Sequence, residues 1–258
     1  ATGRDYNAGG CRYTVRSPHI GGAPDAGNSL YAIRKAVFED HLTTLDHLLD
    51  AIENDWDGEE VLRQRILTGY TYYGNDNAEA DAVTAEILDR FADMVLAHRG
   101  ESPILYIPGV STFGRQIDWL GQRTASPFGM KKGTILAGNA SPTPGTDKEG
   151  ATSIIESYCR ADLEKQVCGA ALDVKLHPSA TRGENGLAGI VALLKGFVTL
   201  DGYFLQLDVI DGEVLRKAQE DPEAYKTLSV RVSGWNARFV TLNRQWQEMI
   251  IERTATGL

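Results

Sequence analysis

The second half of the chain alternates short β-favouring runs with longer helical patterns, and this alternation limits the available architectures more than any other feature. Residues 154–158, 172–176, 203–210 and 229–232 read as strands, with helices near 160–167 and over 183–199 and 212–220 between them. Upstream, apolar residues recur at helical spacing over 28–39, 42–53, 59–67 and 78–97, followed by a short extended run at 103–108. Residues 128–150 are rich in Gly, Pro, Ser and Thr and read as ordered loop rather than linker. Strands alternating with helices predict an α/β arrangement.

After the last strand comes Arg231-Val232-Ser233-Gly234-Trp235-Asn236-Ala237-Arg238-Phe239, a glycine set between apolar and basic residues. Taken alone, Gly234 is an ordinary turn glycine. Glycine also has a chemical property that no other residue shares. Loss of a hydrogen from its α-carbon leaves an electron delocalised over two flanking amides, and no side chain prevents that centre from flattening.

The nine-residue string resembles the radical loop of the glycyl radical enzymes, the superfamily of pyruvate formate-lyase. The likeness extends along the chain. Leu200 to Val209 resembles the buried strand before that loop, Asp211 to Ala218 its connecting helix, and Leu242 to Thr254 its terminal helix. Gly133 to Gly150 is similar to the family's glycine-rich segment, and Ala26 to Phe38 to its ADSLAAIKK helix. Where the family has a TPDGR-like motif this chain reads Ala125-Ser126-Pro127-Phe128-Gly129-Met130-Lys131. The resemblance implies part of a ten-stranded α/β barrel with surrounding helices, mainly helical over 1–127. A radical domain would span 128–258, its loop at 229–240.

The resemblance also implies chemistry. Gly234 stores the radical; Arg231, Val232, Ser233, Trp235, Arg238 and Phe239 support the loop, the arginines as anchors and the tryptophan by keeping it dry. The chain binds no cofactor: a separate radical S-adenosylmethionine activating enzyme with an iron-sulfur cluster installs the radical. Transfer to a cysteine gives a thiyl radical that takes hydrogen from a small-molecule substrate. Family enzymes carry that cysteine in an upstream Gly-Cys-Val-Glu-like string, whereas none of Cys11, Cys159 and Cys168 is followed by Val-Glu. The sequence therefore resembles the C-terminal part of a larger, homo-oligomeric enzyme, with an N-terminal portion or a separate chain supplying the cysteine. The missing initiating methionine is in keeping with that expectation. Gly-Trp at 234–235 and the altered 129–131 segment point to fumarate addition to a hydrocarbon or arene. The alternatives are formate acetyltransferase-like, decarboxylase or dehydratase/lyase chemistry, or a radical-bearing spare part that docks onto a damaged enzyme.

Other residues are weaker candidates. Gln206 and Asp208 alternate with Leu205, Leu207 and Val209, so one polar face of that strand can look into a cavity. Phe113, Gln116 and Trp119 lie in a segment similar to the one lining the far side of the family cavity. His177 follows a strand and can touch substrate, although a structural role is the plainer reading. The remaining histidines and the three cysteines show no metal-ligand spacing. A net charge of −9 argues against a nucleic-acid partner. The 187–200 stretch, broken by Lys195 and glycines, argues against a membrane span, and the expected location is the cytoplasm.

Overall fold

A computed structural model describes residues 3–98, 100, 104–112, 114–115, 117–209, 211–232 and 235–255. Among these the fold is mostly helical. It begins with β1 (Thr14–Arg16), β2 (His19–Ile20), α1 (Ala23–Ile33), α2 (Leu45–Glu53), α3 (Glu60–Gly69) and α4 (Ala78–Leu96). Two short strands follow, β3 (Ile104–Tyr106) and β4 (Gly109–Val110), then α5 (Gly150–Tyr158), β5 (Leu172–Leu176), α6 (Gly183–Thr199) and β6 (Leu205–Val209). The chain finishes with α7 (Gly212–Glu220), β7 (Ser229–Val232), β8 (Trp235–Arg238) and α8 (Arg244–Ala255).

Side chains at the helix starts explain several of these boundaries. Thr44 accepts the His47 amide at the head of α2, Asn77 the Glu79 and Ala80 amides at α4, and Asp211 the Glu213 amide at α7. The helix expected over 28–39 starts earlier and ends as a widened turn, in which the Asp40 amide reaches the Lys35 carbonyl five residues back. Gly27 lets α1 lie directly on α4: a Cβ there would overlap Thr84 Oγ1.

Among the described residues the strands do not form the expected barrel. They pair into four two-stranded sheets, β1–β3, β2–β4 and β5–β6 parallel and β7–β8 antiparallel, which do not close on one another. Two sequence expectations fail together here. Residues 154–158 form part of α5, with Ile154, Ile155 and Tyr158 packed into a buried core, and 160–167 holds only a single tight turn at Leu163–Lys165. The strand that would have widened the β5–β6 ribbon is thus a helix covering it, and the fold is helical rather than α/β barrel. A short run of β-branched residues does not distinguish a buried strand from a buried helix turn.

Among the described residues, three hydrophobic cores hold these elements. The first lies between α4, α5, α6 and the apolar face of β5–β6, around Leu88, Ile155, Tyr158, Leu172, Val174 and Phe197. A second joins α1, α2 and α3 to Trp56, Tyr72 and Phe128, with the Tyr31 and Tyr72 rings edge-to-face at 6.1 Å. The third lies under the β7–β8 hairpin and takes in Leu215, Ala218, Val230, Val232, Phe239 and Ile250.

Candidate active site

Alternation along β7 sorts its side chains. Val230 and Val232 are buried in the third core, while Ser229 and Arg231 take the other face. Antiparallel register pairs Ser229 with Arg238, Val230 with Ala237, Arg231 with Asn236 and Val232 with Trp235. The two residues that join the strands, Ser233 and Gly234, lie outside the described residues, as does the Trp235 side chain. The frame around them is well tied. Phe239 is fully buried, its amide donates to the Leu228 carbonyl at 2.9 Å, and Gln247 Nε2 donates to its carbonyl at 3.1 Å. Arg238 is exposed, with Nη1 3.5 Å from the Lys226 carbonyl.

Beside the hairpin lies the polar face of the β5–β6 ribbon. Leu172 and Val174 are buried against the helices, so Asp173, Lys175 and His177 stand on the opposite side. Parallel register places Gln206 beside Asp173 and Asp208 beside Lys175. Gln206 Nε2 donates to Asp208 Oδ1 at 2.8 Å, and Lys175 Nζ lies 3.4 Å from the Ile250 carbonyl of α8. Between β6 and the hairpin is a cleft of about 390 Å³ lined by Gln206, Asp208, Ser229, Arg231 and Asn236. At the end of β5 a second, of about 270 Å³, is lined by Asp173, Lys175, His177, Asp147, Ser141 and Pro142.

Of the sequence candidates, Gln206 and Arg231 therefore meet in one cleft and His177 lies in the other. His177 also acts locally, since its Nδ1 accepts the Ser179 amide at 3.2 Å and caps the following turn. Trp119 is not among the residues lining either cleft; it lies against Gly21, where an added Cβ would come within 3.3 Å of its ring. Phe113 and Gln116 lie outside the described residues. Among the described residues, no group of three or more His, Cys, Asp or Glu side chains is placed to hold a metal ion, and no helix is long and apolar enough to cross a membrane.

Sequence reasoning missed the polar scaffold behind this face. Asp25 and Arg123 form a buried ion pair at 3.1 Å. Asp25 also accepts the Ala137 amide at 2.8 Å and the Thr143 hydroxyl at 3.3 Å, while Asn28 Nδ2 donates to Thr143 Oγ1 at 3.2 Å. These bonds fix the loop that carries Asn139 and Ser141. Asn139 Nδ2 in turn donates to Asp173 Oδ2, and Ser141 Oγ accepts the Asp173 amide, both at 2.9 Å. Burial pushes the Asp25 carboxyl up and the Arg123 guanidinium down, and their mutual attraction and hydrogen bonds pull both back. A second buried carboxylate, Asp81, sits between Arg160 Nε at 3.2 Å and the Gly74 amide at 3.4 Å, and burial raises it to about 6.

The hairpin and the ribbon fall within a recognised family. Residues 1–118 match the family described as Pyruvate formate lyase-like, and residues 136–240 the one described as Glycine radical. The chain belongs to the glycyl radical enzyme superfamily. It is 32% identical over 258 residues to trans-4-hydroxy-L-proline dehydratase of Clostridioides difficile, covering 98% of this chain and 32% of that one. It is 34% identical over 236 residues to isethionate sulfite-lyase of Bilophila wadsworthia, covering 88% and 28%. The glycerol-bound structure of the B12-independent glycerol dehydratase from Clostridium butyricum superposes with a TM-score of 0.89 at 31% identity, over 95% of this chain and 31% of that one. The chain thus spans about a third of the length of the relatives it matches.

These relatives correct the expectation of fumarate addition, because they are dehydratases and a lyase. The structure explains why residues 129–131 misled. Gly129 has φ +93, its carbonyl accepts Arg63 Nη1 at 2.8 Å, and Phe128 and Met130 pack among α1–α3. That segment packs against the helices.

Proposed function

We propose that this chain is the radical-bearing part of a glycyl radical enzyme with dehydratase or lyase chemistry, storing the radical on Gly234. The observation that supports the reading is the β7–β8 register, which pairs Val232 with Trp235 on strands that border a cleft lined by Gln206, Asp208 and Arg231. In the proposed cycle an activating enzyme of the radical S-adenosylmethionine class removes one hydrogen atom from the Gly234 α-carbon. The radical passes to a cysteine thiol, and the thiyl radical takes a hydrogen atom from the substrate carbon next to the one bearing the leaving group. The C–O or C–S bond then breaks heterolytically as the substrate radical gives up a proton, so that hydroxide leaves as water or the sulfonate group leaves as sulfite, and the product radical recovers hydrogen from the thiol. Asp173, Lys175, His177 and Gln206 are proposed to hold a small polar substrate, since a face with carboxylate, ammonium, imidazole and amide groups suits hydroxyl and anionic substituents. Arg231, Val232, Arg238 and Phe239 are proposed to anchor the loop, with the cysteine supplied by the polypeptide that relatives carry beyond this span.

The test is electron paramagnetic resonance after anaerobic activation. A doublet that collapses when the protein is grown on α-deuterated glycine is the expected result, with no signal in Gly234→Ala. A radical of normal yield in that variant would overturn the assignment. Activated holoenzyme should release water or sulfite from hydroxylated or sulfonated substrates and should not consume fumarate.

A further inference from the structure

Helix α6 is apolar nearly all round. Its seventeen residues contain only two charged side chains, Glu184 and Lys195. Gly186 and Phe197 are buried and Ile190 and Leu193 half-buried, which is the face packed on the first core. A second stripe, Leu187, Val191, Leu194 and Val198, follows at intervals of four, three and four residues and is therefore also continuous along one side of the helix. Those four are exposed by 63, 41, 42 and 72%. On the other flank, Gly189, Ala192 and Gly196 leave an open groove of about 280 Å³ against Thr152, Ile155 and Glu156 of α5. A helix apolar on this much of its circumference calls for a covering partner on its exposed side.

We infer that α6 is a docking helix for the polypeptide that makes up the rest of the family fold, and that its partner presents an apolar helical stripe to Leu187, Val191, Leu194 and Val198. The choice of occupant rests on length. The chain aligns over nearly all of its residues with structures about three times as long, so the relatives carry about two thirds of their chain elsewhere. The inference builds on the reading above, in which the cysteine comes from that same polypeptide. The second flank, with no side chain beyond a methyl at Gly189, Ala192 and Gly196, lets a second element approach the backbone closely.

Photo-crosslinking in the source cells, kept anaerobic, tests this directly. A benzophenone amino acid at position 198 or 187 of the full protein is expected to join α6 to peptides of the pyruvate formate lyase-like family that lie outside residues 1–258. Joining α6 to α6 of a second copy, joining it to lipid, or forming no adduct would overturn the inference. A paired variant, Val191→Asp with Leu194→Asp, gives an independent readout. In the full protein the helical circular-dichroism signal should be retained, while crosslink yield from position 198 should fall at least about tenfold, the equivalent of 1.4 kcal/mol. Unchanged association in that variant would overturn the inference too. Failure of Gly234 to acquire a radical, with crosslinking intact, would sink the catalytic reading and leave the docking surface standing.

Discussion

Asn139 holds Asp173 from behind: its Nδ2 donates to Asp173 Oδ2 at 2.9 Å while its Oδ1 accepts the Thr112 amide at 3.1 Å. One side chain thereby ties the polar face of β5 to the turn after β4. Asn139 also has φ +54, a region where asparagine is better tolerated than most residues. Asn139→Ala should lose both bonds and keep the strain, costing roughly 1–3 kcal/mol, since it strands a buried amide. Asn139→Gly relieves the strain and should cost less. Urea unfolding of the two variants against wild type checks the order.

Asp25 and Arg123 are both buried to within 8% of full enclosure. Removing one partner leaves the other charge unpaired in the interior, so Arg123→Met or Asp25→Leu alone should cost about 3–5 kcal/mol. The double variant should recover much of that loss, because two apolar residues incur no desolvation of charge. A denaturant double-mutant cycle gives the coupling. Equal destabilisation of the double and the sum of the singles would show that the pair is not coupled.

Asp81 supplies a pH dependence of defined sign. Burial raises its carboxyl from 3.8 to about 6 in the folded state, so between those values the folded protein binds more proton than the unfolded one. Its contribution to stability is fully present below pH 3.8 and is lost as pH rises through about 6. Asp81→Asn should flatten this part of the stability profile. Comparing unfolding of the variant and wild type across that window separates Asp81 from the other carboxylates; parallel profiles would refute its role.

Gly27→Ala sets two effects against each other. Alanine favours a helix over glycine by roughly 1 kcal/mol, but its Cβ would overlap the Thr84 hydroxyl, which belongs to a fully buried side chain of the packed α4. Steric overlap with a core residue should dominate, giving a net loss of about 1–3 kcal/mol. Thr84→Ala in the same chain should restore part of it. Thermal melting of the single and double variants reads the difference.

The sequence told most where a pattern was long and locally decided. α4, α6 and α7 came out within a residue or so of their observed ends, because an amphipathic period or a capping residue such as Asn77 or Asp211 marks them. β5 and β7 matched their runs of alternating residues. Ile154 and Ile155 misled: two adjacent β-branched residues suggest a strand, yet here they share a helix with Tyr158 because α4 and α6 offer that helix a buried seat. Gln206 and Asp208 were legible as a polar face from alternation alone. Asp25 with Arg123 was not, since the two are separated by 98 positions and neither belongs to a local motif. Nor did Asn139 announce itself, because its partners Thr112 and Asp173 come to it from two other, distant segments.

The hairpin's own core has a consequence for access. Most of its members, including Leu215, Ala218, Val230, Val232, Phe239, Met249, Ile250 and Ile251, come from one continuous stretch of chain, joined by Ile117 and Ile135. A layer built this way can open as one cooperative unit at a lower free energy than global unfolding, while the cores around Leu172 and Trp56 stay closed. Amide hydrogens of β7, β8 and α8 are then expected to exchange together, and ahead of those of β5. Strands β7 and β8 would become accessible by this sub-global opening, with the other two cores still folded.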